Sequence, residues 1–293
     1  MSRIEVLKTY KLYIGGQFPR TESGRYYPLL DKKKNVLANI CLASRKDFRN
    51  AVVAARSAFG GWSGRNAFNR SQILYRIAEM IETRKTQFIE ELILLGSTKI
   101  NAEKEVKFSI DRMVYYAGWC DKYSAIYSSV NPVQTSHFNF SIPEPTGVVA
   151  LVAAQDSSLL GVISLIAPAI AGGNVCIILA PEKLPLCAVT LGEVLATSDL
   201  PGGVVNILTG NTKELLSHMA SHMDVNALVY AGKDKQEIKL AQEGCVVNVK
   251  RFFHWDKNWN NQNGQDPYMI MDLQEIKTTW HPIENIGVGG AKY

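Results

Sequence analysis

The sequence predicts an α/β fold built on a doubly wound parallel sheet. From Gly147 to Val249, short runs rich in β-branched residues alternate with stretches of helical length. Alternation of this kind is typical of a parallel sheet with right-handed helical crossovers. The strand-length runs are almost continuously apolar, as central strands buried on both faces are. Because 46% of the 293 residues are apolar, the chain can also bury a large core.

The first part of the chain, residues 1–133, is predicted to form a short hairpin followed by helices. Strand-like residues flank Gly15 and Gly16, which suits a tight turn. Ser44 and Asp47 have the spacing of a capping box, so a helix is expected to begin there. Further helical periodicity runs through residues 73–81, 88–95 and 108–116.

The α/β half is predicted over residues 146–253. Its expected strands are residues 148–153, 175–179, 204–208, 227–230 and 246–249. Its expected helices are residues 159–171, 186–197, 212–221 and 234–242. Together these elements predict a Rossmann-like α/β half.

Two flanking segments alternate between apolar and polar residues, the pattern of half-buried strands. The first runs from Gln134 to Ile142 and predicts a strand or hairpin within residues 134–145. The second runs from Met269 to Trp280 and predicts a strand within residues 268–293. Between the α/β half and the second segment, residues 254–267 form an Asn-rich stretch that predicts a linker.

Charge and hydropathy argue against nucleic-acid and membrane proteins. The net charge is only +5, and the longest basic run is the three lysines of residues 32–34. The segment from Leu159 to Ala180 carries no charge and is long enough to span a bilayer. Pro168 and the pair Gly172 and Gly173 divide it into a helix, a turn and a buried strand. A nucleic-acid ligand and a membrane span are therefore not expected.

Cysteine usage indicates a cytoplasmic protein. The five cysteines are odd in number and lack C-x-x-C spacing, which favours free thiols in a reducing compartment. The first residues carry charges where a signal peptide needs an apolar core. Four of the cysteines are expected to be buried structural thiols rather than nucleophiles, namely Cys120, Cys176, Cys187 and Cys245. His218 and His222 have i, i+4 spacing, but a solvated helix face is favoured over a metal site, since no further ligands are evident.

Three segments resemble the aldehyde dehydrogenase superfamily, and the spacing agrees without gaps from Pro145 to Gly232. They are the Pro-Thr-Gly-Val-Val run at 145–149, the Ala-Pro-Ala-Ile-Ala-Gly-Gly-Asn run at 167–174 and the Leu-Pro-Gly-Gly-Val-Val-Asn-Ile-Leu-Thr-Gly run at 200–210. The opening of the chain and the tail at 272–279 are similar to the same family. The resemblance implies a cofactor-type domain, NAD or NADP as the family's cofactor, and a hairpin and tail strand that serve oligomerisation.

The resemblance also implies that catalytic parts are missing. In the family, a catalytic domain with the nucleophilic Cys lies between the cofactor domain and the tail, where this chain has only the linker. The family's Asn that helps to stabilise the oxyanion falls at Asp156, whose carboxylate would repel developing negative charge. Its general-base Glu falls at Trp255, which cannot accept a proton.

The resemblance likewise implies a weakened cofactor site. The family's ribose-binding Lys becomes Leu179, and only the neighbouring Glu182 is retained. Of the Gly-Ser-Thr-x-x-Gly turn that admits the pyrophosphate, only Gly232 remains, followed by long and charged side chains up to Glu237. The only candidate cofactor residues are thus Glu182 and Gly232, and no cofactor is expected.

Two functions follow as hypotheses. The first is a noncatalytic subunit, or pseudoenzyme, similar to the degenerate second copy of some two-copy aldehyde dehydrogenases. It would assemble with itself or with a full-length aldehyde dehydrogenase through the segments Gln134 to Ile142 and Met269 to Trp280. The second is an NAD(P)-dependent aldehyde oxidoreductase component that keeps residual nucleotide binding while a partner chain supplies the catalytic half.

Overall fold

The computed structural model describes residues 7–31 and 33–283. The strands are β1 Thr9–Tyr10, β2 Tyr26–Leu30, β3 Val36–Cys41, β4 Ser129–Asn131, β5 His137–Pro145, β6 Val148–Val152, β7 Val175–Leu179, β8 Val205–Leu208, β9 Ala227–Tyr230, β10 Arg251–His254 and β11 Gln274–Pro282. The helices are α1 Arg45–Ser63, α2 Ala67–Thr83, α3 Lys85–Leu94, α4 Lys99–Ala117, α5 Tyr123–Tyr127, α6 Leu160–Ala171, α7 Leu186–Leu195, α8 Thr212–Ser221, α9 Lys235–Val246 and α10 Tyr268–Met271.

The central element is a five-stranded parallel sheet with the order β10-β9-β6-β7-β8. The strands β6 to β9 are buried along their whole length. One group of helices, α1, α8 and α9, packs on this sheet, and a second group includes α6 and α7 with α2, α3 and α4 behind them. The predicted α/β fold with a doubly wound parallel sheet is confirmed.

The long uncharged segment of the sequence forms part of the core. Every residue of α6 is buried, and β7 follows it directly into the sheet. Gly172 and Gly173 make the turn between these two elements, and Gly173 has a positive φ of 87°. Among residues 7–31 and 33–283, no helix has both the length and the apolar character that a bilayer crossing requires.

The predicted capping box at the start of α1 is confirmed. Ser44 Oγ accepts the Asp47 amide, and Asp47 Oδ2 accepts the Ser44 amide at 2.7 Å. Thr21 Oγ1 and the Glu22 amide also donate to the Asp47 carboxylate, at 2.6 and 2.9 Å. Burial alone would raise the pKa of Asp47, but these hydrogen bonds outweigh it and lower the pKa. The cap therefore fixes both α1 and the preceding loop.

The predicted strand at 246–249 is wrong. The helix α9 continues to Val246, and the fifth strand of the sheet is β10, which starts at Arg251. Val249 has a positive φ of 53° and is 93% exposed, so this apolar run is a surface turn. Lys250 then enters the protein, and its ammonium donates to three carbonyl oxygens at the end of α8 and just beyond it, those of Met219, Ala220 and His222. A cation at a helix C-terminus interacts favourably with the helix dipole, and this fixes where the strand can begin.

A separate antiparallel sheet with the order β11-β5-β4 contains the two alternating segments that the sequence predicts as strands. The hairpin spans Ser129 to Pro145, so Gln134 lies in its turn and not in a strand. Met269 lies in the short helix α10 and not in a strand, because Pro267 and the Asp266 carboxylate, which accepts the Tyr268 amide at 2.8 Å, start a helical turn. The tail strand begins at Gln274 and pairs with β5 over nine residues of the same chain.

The linker at 254–267 is tied to the helical core. The Arg112 side chain in α4 is 3% exposed, and its guanidinium donates to Ser164 Oγ in α6 at 2.6 Å and to the carbonyl oxygen of Asn261 at 2.9 Å. The Trp255 indole N–H donates to the Asp272 carboxylate at 2.9 Å. The linker therefore closes over α4 and α6 and leads the chain directly to the small sheet.

Candidate functional site

An open cleft of about 670 Å³ lies at the carboxyl ends of the central strands. It is formed by the loops that follow β6, β7, β8 and β9, together with the start of α9. This is the edge at which doubly wound sheets bind ligands, next to the strand where the strand order reverses. The residues that line it are Ala154, Gln155, Asp156, Glu182, Lys183, Asn211, Thr212, Lys213, Ala231, Gly232, Lys233 and Glu237.

Charged side chains of both signs line the cleft. The three carboxylates of Asp156, Glu182 and Glu237 stand against the three ammonium groups of Lys183, Lys213 and Lys233. Lys233 Nζ lies 3.2 Å from Asp156 Oδ2, so this ion pair joins the loop after β9 to the loop after β6. The Asp156 hydrogen bond raises the pKa of Lys233. The cleft therefore has balanced charge, and one of its cations is already paired.

The amides at the N-terminus of α9 are occupied by the chain itself. Asp234 is the N-cap residue, and its Oδ1 accepts the amides of Gln236 at 2.8 Å and Glu237 at 3.2 Å. Free amides at a helix N-terminus are the usual donors to a bound phosphate. In this helix a carboxylate already takes the position that an anion would take.

Gly232 has a packing reason to be glycine. A Cβ at this position would lie 2.5 Å from the Tyr230 hydroxyl oxygen. That hydroxyl donates to the Glu237 carboxylate in α9, and His254 Nε2 lies 2.9 Å from the Gly232 carbonyl oxygen. Burial and the Glu237 carboxylate raise the pKa of Tyr230, so the phenol keeps its proton. Gly232 thus makes room for a Tyr230–Glu237 contact that closes the β9–α9 turn.

Glu182 takes part in a polar network at the opposite wall. Its carboxylate accepts Asn211 Nδ2 at 3.3 Å, and its amide donates to Gln155 Oε1 at 2.9 Å. Leu179, at the end of β7, is 1% exposed and does not line the cleft. Of the sequence-derived candidates, Asp156, Glu182 and Gly232 therefore meet in one cleft.

Trp255 lies outside the cleft lining. Its side chain is 5% exposed, and its only polar atom donates to Asp272. The residue thus fastens the linker to the segment before β11. Its contact with Asp272 could not be inferred from the sequence, because the two residues are 17 positions apart.

The cysteines and histidines add no second polar centre among residues 7–31 and 33–283. All five cysteines are buried and free. Burial raises the pKa of Cys120 to about 12 and also raises the pKa of Cys187. His222 is the C-cap residue that follows α8, and burial lowers its pKa. In the described part of the chain, no group of three or more His, Cys, Asp or Glu side chains is arranged to hold a metal ion.

Two contacts beside the cleft were not predicted from the sequence: the hydrogen bond from Tyr230 to Glu237 and the cap that Asp234 provides to α9. Asp234 and Glu237 are three residues apart, as Ser44 and Asp47 are in the capping box of α1. This spacing could have predicted the capping role of Asp234 from the sequence. The Tyr230 hydroxyl had none, because its contact with Glu237 depends on how sharply the chain turns between β9 and α9.

The fold and the cleft define an α/β protein of the dinucleotide-binding type. The model of the aldehyde dehydrogenase family matches residues 20–272. The chain belongs to this family.

Individual relatives agree with that assignment. The chain is 28% identical over 257 residues to mouse cytosolic 10-formyltetrahydrofolate dehydrogenase, covering 86% of this chain and 28% of that protein. It is 32% identical over 231 residues to the mitochondrial aldehyde dehydrogenase family 2 member B4 of Arabidopsis thaliana, covering 76% of this chain and 42% of that protein. The structure of an NAD+ complex of a Bacillus cereus aldehyde dehydrogenase has the same fold, with a TM-score of 0.80, 23% identity, and coverage of 84% of this chain and 50% of that one. The chain thus spans half or less of each of these relatives.

Proposed function

We propose that this chain is a noncatalytic aldehyde dehydrogenase-like subunit that assembles with itself or with an active aldehyde dehydrogenase. The observation that carries the proposal is the N-terminus of α9, which borders the cleft and whose Gln236 and Glu237 amides are held by Asp234. The hairpin and the tail to which the resemblance assigns an oligomerisation role form, by contrast, a three-stranded sheet. The chain would thus have kept a role in assembly and lost the ability to oxidise aldehydes.

The cleft fits a dinucleotide's diphosphate poorly. A diphosphate brings negative charge, and its binding depends on free amides and unpaired cations. At this cleft Asp234 competes for the α9 amides, and Asp156 competes for Lys233. Glu237 adds a third carboxylate in the first turn of the same helix. An entering diphosphate would have to displace these carboxylates and face their repulsion.

Among the described residues, the positions that the resemblance assigns to catalysis carry side chains unsuited to aldehyde oxidation. The Asp156 carboxylate at the oxyanion position would oppose a developing negative charge. The buried Trp255 side chain can donate a hydrogen bond but cannot act as a base. Burial raises the pKa of four of the five buried thiols, so they favour the protonated form; these are Cys120, Cys176, Cys187 and Cys245. We therefore propose that any catalysis in the assembly comes from a partner.

A second candidate function is a nucleotide-binding component whose catalytic half lies on another chain. The cleft of about 670 Å³ favours it, because this volume is within the range of ligand pockets. Lys183 and Lys213 also line the cleft as further cations. In this alternative Lys183 and Lys213 would bind the phosphates in place of the α9 amides.

Calorimetric titration of the purified chain with NAD and with NADP separates the two proposals. We expect no binding heat with either nucleotide, and a clear heat with an intact aldehyde dehydrogenase from the same genome or on dilution of a self-assembly. The variant Asp234→Asn is a matched control, since Asn keeps the cap and removes the charge. Nucleotide binding by the wild type at micromolar affinity would overturn the first proposal and support the second.

A further inference from the structure

A buried arginine in α4 has no acidic partner in the described part of the chain. Arg112 is 3% exposed. Its guanidinium donates to two neutral acceptors, Ser164 Oγ at 2.6 Å and the Asn261 carbonyl oxygen at 2.9 Å. No carboxylate of residues 7–31 and 33–283 forms an ion pair with it. Buried charges in proteins are normally paired, because their desolvation is costly. The positive charge of Arg112 is therefore uncompensated within these residues.

The Arg112 guanidinium also has unused hydrogen-bonding capacity. A guanidinium carries five N–H groups, and the two hydrogen bonds of Arg112 use two of them. The Nε atom is buried and has no hydrogen-bond partner among the described residues. Burial lowers the pKa of Arg112, which reflects the cost of an unpaired charge at this place. Because an arginine side chain stays protonated in proteins, the group is both a cation and a hydrogen-bond donor.

Arg112 lines a cavity of about 160 Å³ between α4 and the linker. The lining residues are Phe108, Asp111 and Arg112 from α4, and Asn261, Gln262 and Gln265 from the linker. The cavity shares no lining residue with the cleft at the ends of the central strands. One water molecule occupies about 30 Å³ in the liquid, so the cavity has room for a ligand of about five non-hydrogen atoms.

The linker packs closely against the guanidinium and fixes its position. A Cβ at Gly264 would lie 2.9 and 3.0 Å from the two terminal nitrogens of Arg112 and 2.9 Å from the Asn258 carbonyl oxygen. The Ser164 hydroxyl donates to the Leu160 carbonyl oxygen at 2.5 Å, which orients its oxygen to accept from Arg112. The guanidinium is therefore held in one orientation before a ligand enters, and this reduces the entropy lost on binding.

The charges around the cavity determine which ligand it suits. Carboxylates and phosphates both accept hydrogen bonds from a guanidinium fork. The exposed Asp111 carboxylate on the cavity wall adds a negative charge, which opposes a dianion more strongly than a monoanion. The amide groups of Gln262 and Gln265 offer further donors and acceptors. A small monocarboxylate therefore fits both the size and the charge of the cavity.

We propose that Arg112 and the linker form a binding site for a small monocarboxylate of the size of acetate or propionate. The ligand's carboxylate accepts N–H groups of Arg112, and its aliphatic part packs against Phe108. Because the same guanidinium holds the Asn261 carbonyl oxygen, the bound ligand joins α4 to the linker. The site is independent of the proposed assembly role, since it requires neither a nucleotide nor a second chain.

Saturation-transfer NMR with sodium acetate, at an ionic strength held constant with sodium chloride, tests the site. We expect saturable binding to the wild type with a Kd on the order of 1 mM. Arg112→Met removes the charge and keeps an apolar side chain, so it should weaken binding at least ~10-fold. Inorganic phosphate should displace acetate only weakly. The proposal is overturned by non-saturable acetate binding, by unchanged binding to a folded Arg112→Met protein, or by phosphate that competes as well as propionate.

A second test uses exposed residues and does not depend on the Arg112 variant folding. Asp111→Asn removes the negative charge from the cavity wall and should tighten acetate binding ~3-fold. Glu103→Gln is the matched control, because Glu103 is an exposed carboxylate of α4 that does not line the cavity. Acetate affinity should be unchanged in this control. Equal effects of the two substitutions on acetate affinity would overturn the site.

Hydrogen exchange followed by mass spectrometry locates the bound ligand. Acetate should slow exchange in the linker at residues 258–265 of the wild type, and this protection should be absent in Arg112→Met. Protection of the linker that requires Arg112 supports the site. Acetate protection confined to segments other than α4 and the linker would overturn it.

Discussion

The cleft and the small sheet treat their polar groups in opposite ways. At the cleft, donors and acceptors pair with each other within the chain. Asp234 caps α9, Lys233 forms an ion pair with Asp156, and the Tyr230 hydroxyl donates to Glu237. At β11, backbone donors and acceptors face outward beside exposed apolar side chains. Among the described residues, the first region pairs several of its polar groups internally, whereas the outer edge of the second has no strand partner.

Under the proposed function, this difference teaches how a fold can be kept after its chemistry is lost. Carboxylates that hold the α9 amides and Lys233 would then stabilise the cleft without a bound phosphate, because they pair with the same groups. No comparable internal partner caps the outer edge of β11 among the described residues. A binding site is therefore judged by which groups are still unpaired as well as by its shape.

The largest expected effect concerns the reactivity of the five buried thiols. Cys176 in β7 and Cys187 in α7 are both fully buried. Because modification then requires opening of the core, all five thiols should react with a disulfide reagent at least ~1000-fold more slowly in the native protein than in denaturant. Timed labelling followed by mass spectrometry measures this. A thiol that reacted quickly in the native protein would contradict the account, since it would be an accessible nucleophile in a chain proposed to be noncatalytic.

The next largest effect concerns the open edge. Ile276→Asp places a carboxylate among the exposed apolar side chains of β11 and should weaken self-assembly by at least ~100-fold. Val130→Asp, on the other edge strand and 67% exposed, should leave self-assembly unchanged. Sedimentation equilibrium measures both dissociation constants. Equal weakening by the two substitutions would mean that the interface is not specific to β11.

A smaller effect is expected at the α9 cap. Asp234→Ala leaves two helix amides without their acceptor and should lower the free energy of unfolding by about 1 kcal/mol, whereas Asp234→Asn should be close to neutral. Denaturant titration compares the three proteins. If Asp234→Ala proved as stable as the wild type, the cleft amides would not depend on the carboxylate, and the contrast with β11 would weaken.

The smallest effect is a dependence on pH at the α1 cap. Hydrogen bonds outweigh burial and lower the pKa of Asp47 below its unfolded value of 3.8. The stability they provide is therefore present above pH 3.8 and is lost as the pH falls through the lower, folded-state pKa. Asp47→Asn should flatten this part of the stability profile. An unchanged acid profile in that variant would assign the loss of stability to other carboxyl groups.

Much of the fold was predictable because local patterns and burial agree. The bounds of β7, α8 and β9 match the apolar runs and caps of the sequence to the residue. The failures occur where local pattern and context conflict. Val246 and Val247 favour a strand by composition but end a helix, because Lys250 must reach the end of α8. Met269 alternates like a strand residue, but Pro267 starts a helical turn before it.

The candidate site was predictable in its members and not in its contacts. The family resemblance placed Asp156, Glu182 and Gly232 along the chain, and the fold brings them to one cleft. The ion pair from Lys233 to Asp156 joins residues 77 positions apart, and no local pattern reports such a pairing. Likewise the sequence showed that the tail alternates, but only the register with β5 reveals which side of β11 is free.

Hydrogen exchange, followed by mass spectrometry with and without NAD and over a range of protein concentrations, tests the central contrast most directly. The account predicts that residues 274–282 exchange more slowly as the concentration rises, and that NAD leaves the first turn of α9, at Gln236 and Glu237, unchanged. Slower exchange in that turn on adding NAD, with exchange in β11 independent of concentration, would contradict it.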